Sequence, residues 1–344
     1  MIRCNKGSPG SFMGTVQTRG AYMRKYTSEF GIGVYARNKI IVPPSALEAL
    51  EKKDNHKYHI YGILLVPKFF IKEGSITKHK DYISLIVFTN AFDKYSEYTV
   101  SFCLHEKLNH EYVRCETRYP HSILKIYIED EEWCAKYSFR REAKIPAMAL
   151  FEKNANSLMS EIRYKVLYIG QSYGKRGERS AIKRLSSHET LQKILINTQK
   201  DYPEYEVQIL LLEMAYWLGE SIKPSAEALS TTEEDTNHVE KVLSNLHQEQ
   251  QVINITEAAL INYFKPQYNT MFVENFPSEK HMSYKQYFDL DYDDLVIEIN
   301  MESDVFPYVI LFSDKAQIAS PWECIHYQLD NSNERESMYS IFRK

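Results

Sequence analysis

The chain has 344 residues, 44% hydrophobic and 26% charged, with a formal charge of −4. That composition belongs to a folded protein and excludes low-complexity and collagen-like classes. The length is more than one ordinary core holds, so two or three domains are expected, and the weak net acidity argues against phosphate binding spread over the whole surface.

Met1 to Phe12 carry Gly, Ser, Pro and charge with no apolar core behind them, so no signal peptide is expected. No apolar run is long enough to span a bilayer. Cys4, Cys103, Cys115, Cys134 and Cys324 are scattered and none has zinc-knuckle spacing. A reduced, cytoplasmic chain without a membrane partner is the expectation.

Residues 1–145 read as a β-rich, sandwich-like domain for recognition, sensing or partner binding. Candidate strands are Tyr58–Val66, Tyr82–Thr89, Tyr98–Leu104, Glu111–Thr117, Ile123–Ile128 and Trp133–Phe139, each aromatic or β-branched and bounded by polar turns. A helix is expected over Ser45–Lys53, after Pro43-Pro44.

The pattern changes over residues 146–275. Ala147–Phe151 and Lys165–Ile169 read as strands, Arg179–Leu185 and His188–Ile196 as helices, and Glu206–Met214 as a strand. The polar, acidic stretch 219–251 reads as an insertion, partly helical over Val239–Leu246. A short amphipathic helix follows at Thr256–Phe264. Residues 276–344 hold two strands, Leu295–Asn300 and Tyr308–Phe312, as a small β-containing extension that packs on the N-terminal domain.

Four pieces of the middle segment carry chemistry. Tyr168-Ile169-Gly170 ends a strand, where the glycine permits a sharp turn. Arg184 and His188 stand i and i+4, on one face if a helix runs through them. Glu257 opens the last helix, and Asn269 lies in a turn just beyond it. Arginine matches phosphate geometry, one carboxylate suffices for Mg²⁺, and a phenol acts as a base only beside a cation. Between residues 161 and 200, nine basic residues stand against three acids, a local charge of +6 in a chain of −4. Lys175, Arg176, Arg179 and Lys183 lie in this patch as candidate nucleic-acid contacts.

The order Tyr168-Ile169-Gly170, then Arg184-x-x-x-His188, then Glu257 on a helix, then Lys265-Pro266-Gln267-Tyr268-Asn269 resembles the GIY-YIG nuclease family over about a third of the chain. The resemblance implies an α+β domain, a small antiparallel three-stranded sheet flanked by helices. It implies a Mg²⁺- or Mn²⁺-dependent endonuclease cutting nucleic acid, DNA ahead of RNA, in prokaryotic restriction or antiviral defence. Tyr168 would position or deprotonate the attacking water, Arg184 contact the phosphate, His188 assist the base, Glu257 hold the metal and Asn269 close the site. A protein partner or a homo-oligomer formed through residues 1–145 is left open.

One family feature is missing at the expected place. A second tyrosine belongs on the preceding strand, and aligning Ala149-Leu150-Phe151 there puts Phe151, which lacks a hydroxyl, in its position. The alternative is therefore a catalytically weak or inactive binding module. Gly31-Ile32-Gly33-Val34-Tyr35 has the look of the missing half, but it lies over a hundred residues upstream and reads as chance. His105 and His110 are five apart and do not form a helical zinc motif. Asp289, Asp291, Asp293 and Asp294 read as a solvated acidic edge.

Overall fold

A computed structural model describes residues 24–91, 94–158, 162–172, 185, 188–223, 228–246, 248–302, 309–316, 320–329, 335 and 337–338, without the side chains of 155–158. In chain order the strands are β1 (Ser28–Val42), β2 (Ile60–Pro67), β3 (Phe70–Ile71), β4 (Thr77–Lys78), β5 (Tyr82–Thr89), β6 (Ser96–Cys103), β7 (Val113–Thr117), β8 (Ile123–Ile128), β9 (Glu142–Pro146), β10 (Ile162–Gln171), β11 (Tyr205–Ile222), β12 (Asp294–Asn300), β13 (Val309–Phe312) and β14 (Trp322–Gln328). The helices are α1 (Leu47–Lys53), α2 (Glu131–Tyr137), α3 (Ala147–Leu158), α4 (Glu189–Asp201), α5 (Thr232–Ser244), α6 (Glu249–Phe264) and α7 (Lys285–Asp289).

One mixed seven-stranded sheet, in the order β13-β10-β2-β11-β1-β12-β14, runs through the α+β fold. All three sequence segments contribute strands to it, so the borders at 145/146 and 275/276 cut through one sheet. Near its centre, β10 and β11 each pair antiparallel with β2, which lies between them. Every residue of β2 is buried, because both faces of the sheet are covered. On one face Ile60, Leu64 and Val66 join a core shared with α6 and α3. On the other, Tyr61, Ile63 and Leu65 pack with Leu47, Leu191 and Ile194.

Between β2 and β10 the chain leaves the sheet for residues 68–161. Among its described residues this module holds a four-stranded sheet (β3 to β6), a three-stranded sheet (β7 to β9) and two α-helices. Up to residue 146 the described strands are divided among three sheets. Two assignments need correcting. Trp133–Phe139 is largely helix α2, started by Asp130, whose carboxylate accepts from Trp133 N at 2.8 Å. Ala147–Phe151 is the start of helix α3, not a strand. A five-residue apolar run does not reveal its period, and this one buries Ala147, Leu150 and Phe151 at helical spacing.

The described residues of the polar stretch 219–251 hold more regular structure than the helix expected over Val239–Leu246. They contain the end of β11, helix α5 with a complete Thr231/Glu234 capping box, and the start of α6. Strands β1 and β14 have no counterpart in the sequence reading, and both lie in the main sheet. Asp293 and Asp294 are fully buried rather than solvated. Arg335 lies 3.4 Å from Asp293 and also pairs with Asp291 and Glu29, while Ser337 and His326 bond Asp294. No helix among the described residues is long and apolar enough to cross a membrane.

Two measurements check this packing. The Phe151 ring stacks on Phe69 at 4.3 Å in the core, so Phe151→Ala is expected to cost about 3–5 kcal/mol in denaturant unfolding. A loss under 1 kcal/mol would contradict the buried position. Burial pushes the Glu152 carboxyl up to about 7, against which its bond from Tyr164 Oη (3.1 Å) pulls down. The folded state therefore holds this proton more tightly than the unfolded chain. Its stabilising share is full below about pH 4.5 and is lost as pH rises through 7. Glu152→Gln is expected to flatten the pH dependence of stability across that window.

Candidate active site

Tyr168 owes its direction to a β-bulge. The pairing of β10 with β2 shifts register between Val166 and Tyr168. Ile162, Tyr164 and Val166 face one core, then Leu167 and Tyr168 both turn to the other, and Ile169 returns to the first. Strict alternation would have sent Tyr168 to the opposite side. A bulge re-aims a side chain in this way at the cost of one unpaired residue.

On the face to which Tyr168 turns lies Tyr61, from β2. Tyr61 is opposite Gly170 in the register, and its ring rests against the glycine backbone. A Cβ on Gly170 would lie 2.6 Å from both Cζ and Oη of Tyr61. Gly170 is thus inside β10, and its role is close approach of a ring rather than the sharp turn expected. Tyr61 is the functional candidate that sequence reasoning missed. His59-Ile60-Tyr61 sits within a strand that was recognised, but over a hundred residues before Tyr168. The Gly31–Tyr35 stretch lies in β1, separated from β10 by β2 and β11, so its likeness to the missing half has no counterpart in the pairing.

His188 completes an aromatic triangle. Its ring centroid is 5.2 Å from that of Tyr168 and 5.8 Å from that of Tyr61, and the two tyrosine rings are 6.1 Å apart. The His188 backbone is extended (φ −84°, ψ 109°) and caps α4, with Nδ1 accepting from Leu191 N at 3.3 Å. His188 therefore does not lie on a helical face one turn beyond Arg184, as the i, i+4 reading had it. With Nδ1 an acceptor, the neutral ring carries its proton on Nε2, which lies 3.1 Å from Tyr61 Oη and donates to it.

Asn269 acts on the backbone. Its Oδ1 accepts from Ile169 N at 2.9 Å, and its Nδ2 donates to Ile169 O at 2.8 Å. Tyr268 N donates to Leu167 O at 3.1 Å. Strand β13 pairs with β10 only as far as Lys165, and beyond that point this turn takes the place of a neighbouring strand. Both polar groups of Ile169 are satisfied on that side, which holds the end of the strand carrying Tyr168.

Glu257 lies in the third turn of α6, since that helix begins at Glu249 rather than at Thr256. This excludes a capping role for it. Asn254, three residues earlier, accepts from Gln171 Nε2 at 2.9 Å and ties α6 to the end of β10. An open cleft of about 520 Å³ lies between these elements. Tyr168, Gln171, Asn254, Glu257 and Asn269 line it, with Met271 at its lip. Tyr61 is fully buried and stands behind this wall, against His188.

Among the described residues no group of three His, Cys, Asp or Glu side chains is placed to hold a metal. The lining offers one carboxylate and several neutral oxygens. That set suits a hard cation such as Mg²⁺, which keeps waters and substrate oxygens as ligands, and does not suit a closed zinc site. Arg184, Lys175, Arg176, Arg179 and Lys183 lie outside the described residues. Comparison of the chain with family models, curated proteins and solved structures gives no match.

The contact between Tyr61 and Gly170 can be measured. Gly170→Ala is expected to destabilise the fold by about 1–3 kcal/mol through overpacking. Adding Tyr61→Leu should recover part of that loss, and a double-mutant cycle reads the coupling. Strict additivity of the two changes would refute the contact.

Proposed function

We propose that the protein is a metal-dependent endonuclease that hydrolyses phosphodiester bonds, with DNA as its substrate ahead of RNA, and with an architecture akin to that of GIY-YIG nucleases. The observation that carries this reading is the Tyr61 hydroxyl, 3.1 Å from His188 Nε2 and beside Tyr168. The resemblance asks for two tyrosines on adjacent antiparallel strands, and β2 supplies the one that Phe151 could not. The rival reading, a binding module without chemistry, was motivated by Phe151. That residue lies in α3 and not on a strand paired with β10, which favours the catalytic reading.

The roles follow from position. Tyr168 faces the cleft and orients the attacking water. His188, fixed by its cap bond, donates to Tyr61, and the pair tunes the hydroxyls behind Tyr168. Glu257 would hold a divalent cation, which supplies charge neutralisation at the phosphate and a more acidic water. Asn269 keeps β10, and so Tyr168, at a fixed distance from α6. Arg184 is assigned the phosphate contact on the sequence pattern alone, with Lys175, Arg176, Arg179 and Lys183 as further contacts to the backbone of the nucleic acid. A role in restriction or antiviral defence is part of the same proposal.

A plasmid-nicking assay in Mg²⁺ or Mn²⁺ tests the reading. Wild type is expected to cut, while Tyr61→Phe, Tyr168→Phe, Glu257→Ala and Arg184→Ala each fall by about 10²-fold or more. Plasmid binding without product, unchanged by Glu257→Ala and by removal of the metal, would establish the binding module instead.

A further inference from the structure

A second cavity, of about 750 Å³, lies where the inserted module joins the central sheet. Lys68 and Phe70, just past β2, line it together with Pro146 at the end of β9 and Met148 at the start of α3. The third strand of the central sheet, β11, contributes Glu206. Sites at such junctions are favoured places for ligands.

The walls are flat and aromatic, and the edge is polar. Phe70 and Phe88 are cross-strand neighbours with rings 5.7 Å apart and half-buried. At the rim, Tyr119 is 90% exposed, a large ring held in water beside a cavity it could cover. His121 adopts a left-handed backbone (φ 64°), and its Nδ1 is buried without a hydrogen-bond partner. Asn90 offers an amide, and the Glu206 carboxylate accepts from Gln208 at 2.6 Å with capacity for a second donor.

We propose that this cavity binds a nucleobase. A hydrocarbon ligand would desolvate the Glu206 carboxylate and leave His121 Nδ1 unsatisfied, which costs free energy. A nucleobase brings a π-face for Phe70, Phe88 and Tyr119 and an edge of donors and acceptors for Asn90, Glu206 and His121. The ligand chemistry has two sources, a free nucleoside or nucleotide, and a base turned out of a strand. The second source rests on the nuclease reading, and the first does not. Lys68 directly follows β2, so an occupant of this cavity touches the chain next to the strand that carries Tyr61.

The test is fluorescence titration of the full chain with 2-aminopurine riboside, competed with the four common nucleosides and their monophosphates. The expected result is saturable quenching, displaced by at least one common nucleoside. Tyr119→Ala, Phe70→Ala and His121→Ala should each weaken it about fivefold to a hundredfold, while Tyr61→Phe leaves it unchanged. Tyr119 is too exposed for its removal to disturb the core, so that variant keeps its fold. A parallel titration uses a duplex with 2-aminopurine at one internal position, in Ca²⁺ to prevent cutting. Quenching by the riboside alone identifies a free-nucleotide site. A duplex response sensitive to Tyr119→Ala identifies base readout. Absence of both, or binding indifferent to Tyr119, Phe70 and His121, overturns the proposal whether or not the plasmid is cut.

Discussion

The ring of Tyr61 and the backbone of Gly170 occupy the space of a single side chain. Because glycine has no Cβ, the ring of Tyr61 can lie against Gly170 where β2 and β10 pair. The hydroxyl at the end of that ring then reaches His188, and His188 in turn opens α4. Strand, strand and helix are thereby tied at one point. The alignment of Tyr168 with α6 depends on that point and on the asparagine clamp that holds Ile169 from the other side.

The chain reaches this arrangement across a long detour. Residues 68–161 separate two strands that could have been joined by a short turn. Loop closure does not forbid this, since its entropy grows only with the logarithm of length, about 0.6 kcal/mol per doubling. The insertion also folds on its own sheets, with a core continuous with one face of the main sheet. What it adds is long-range contact, a topology of the kind associated with slower folding.

Sequence order made Tyr168, His188, Glu257 and Asn269 readable, because they keep a recognisable spacing along elements of recognisable type. The clamp of Asn269 and the strand of Tyr168 needed only local pattern. Tyr61 was not readable as their companion. Its strand was identified, but pairing between strands is not encoded in distance along the chain, and a nearer apolar run, Ala147–Phe151, offered a false hairpin partner. That run is helical because its apolar residues recur with a helix's spacing, a distinction five residues do not reveal. His188 was expected on a helical face and instead caps a helix, and Glu257 was expected at a helix start and lies inside one. In both cases the helix boundary differs from the expectation, since helix ends are set by capping bonds. The acidic run near Asp293 misled for another reason: its partner, Arg335, lies more than forty residues away.

The bulge before Tyr168 divides β10 into two stretches of opposite parity. Upstream of it, even-numbered residues face the core with α6. Downstream, even-numbered residues face the core with α4. Tyr168 and Gly170 belong to the second stretch, and the strand's anchorage against β13 belongs to the first. A strand of uniform parity could slide by two residues and still bury its apolar side. This one cannot, because a slide that preserves one stretch misplaces the boundary between them. The irregularity therefore acts as an index mark, giving the sheet one admissible alignment and fixing Tyr168 along the strand as well as across it.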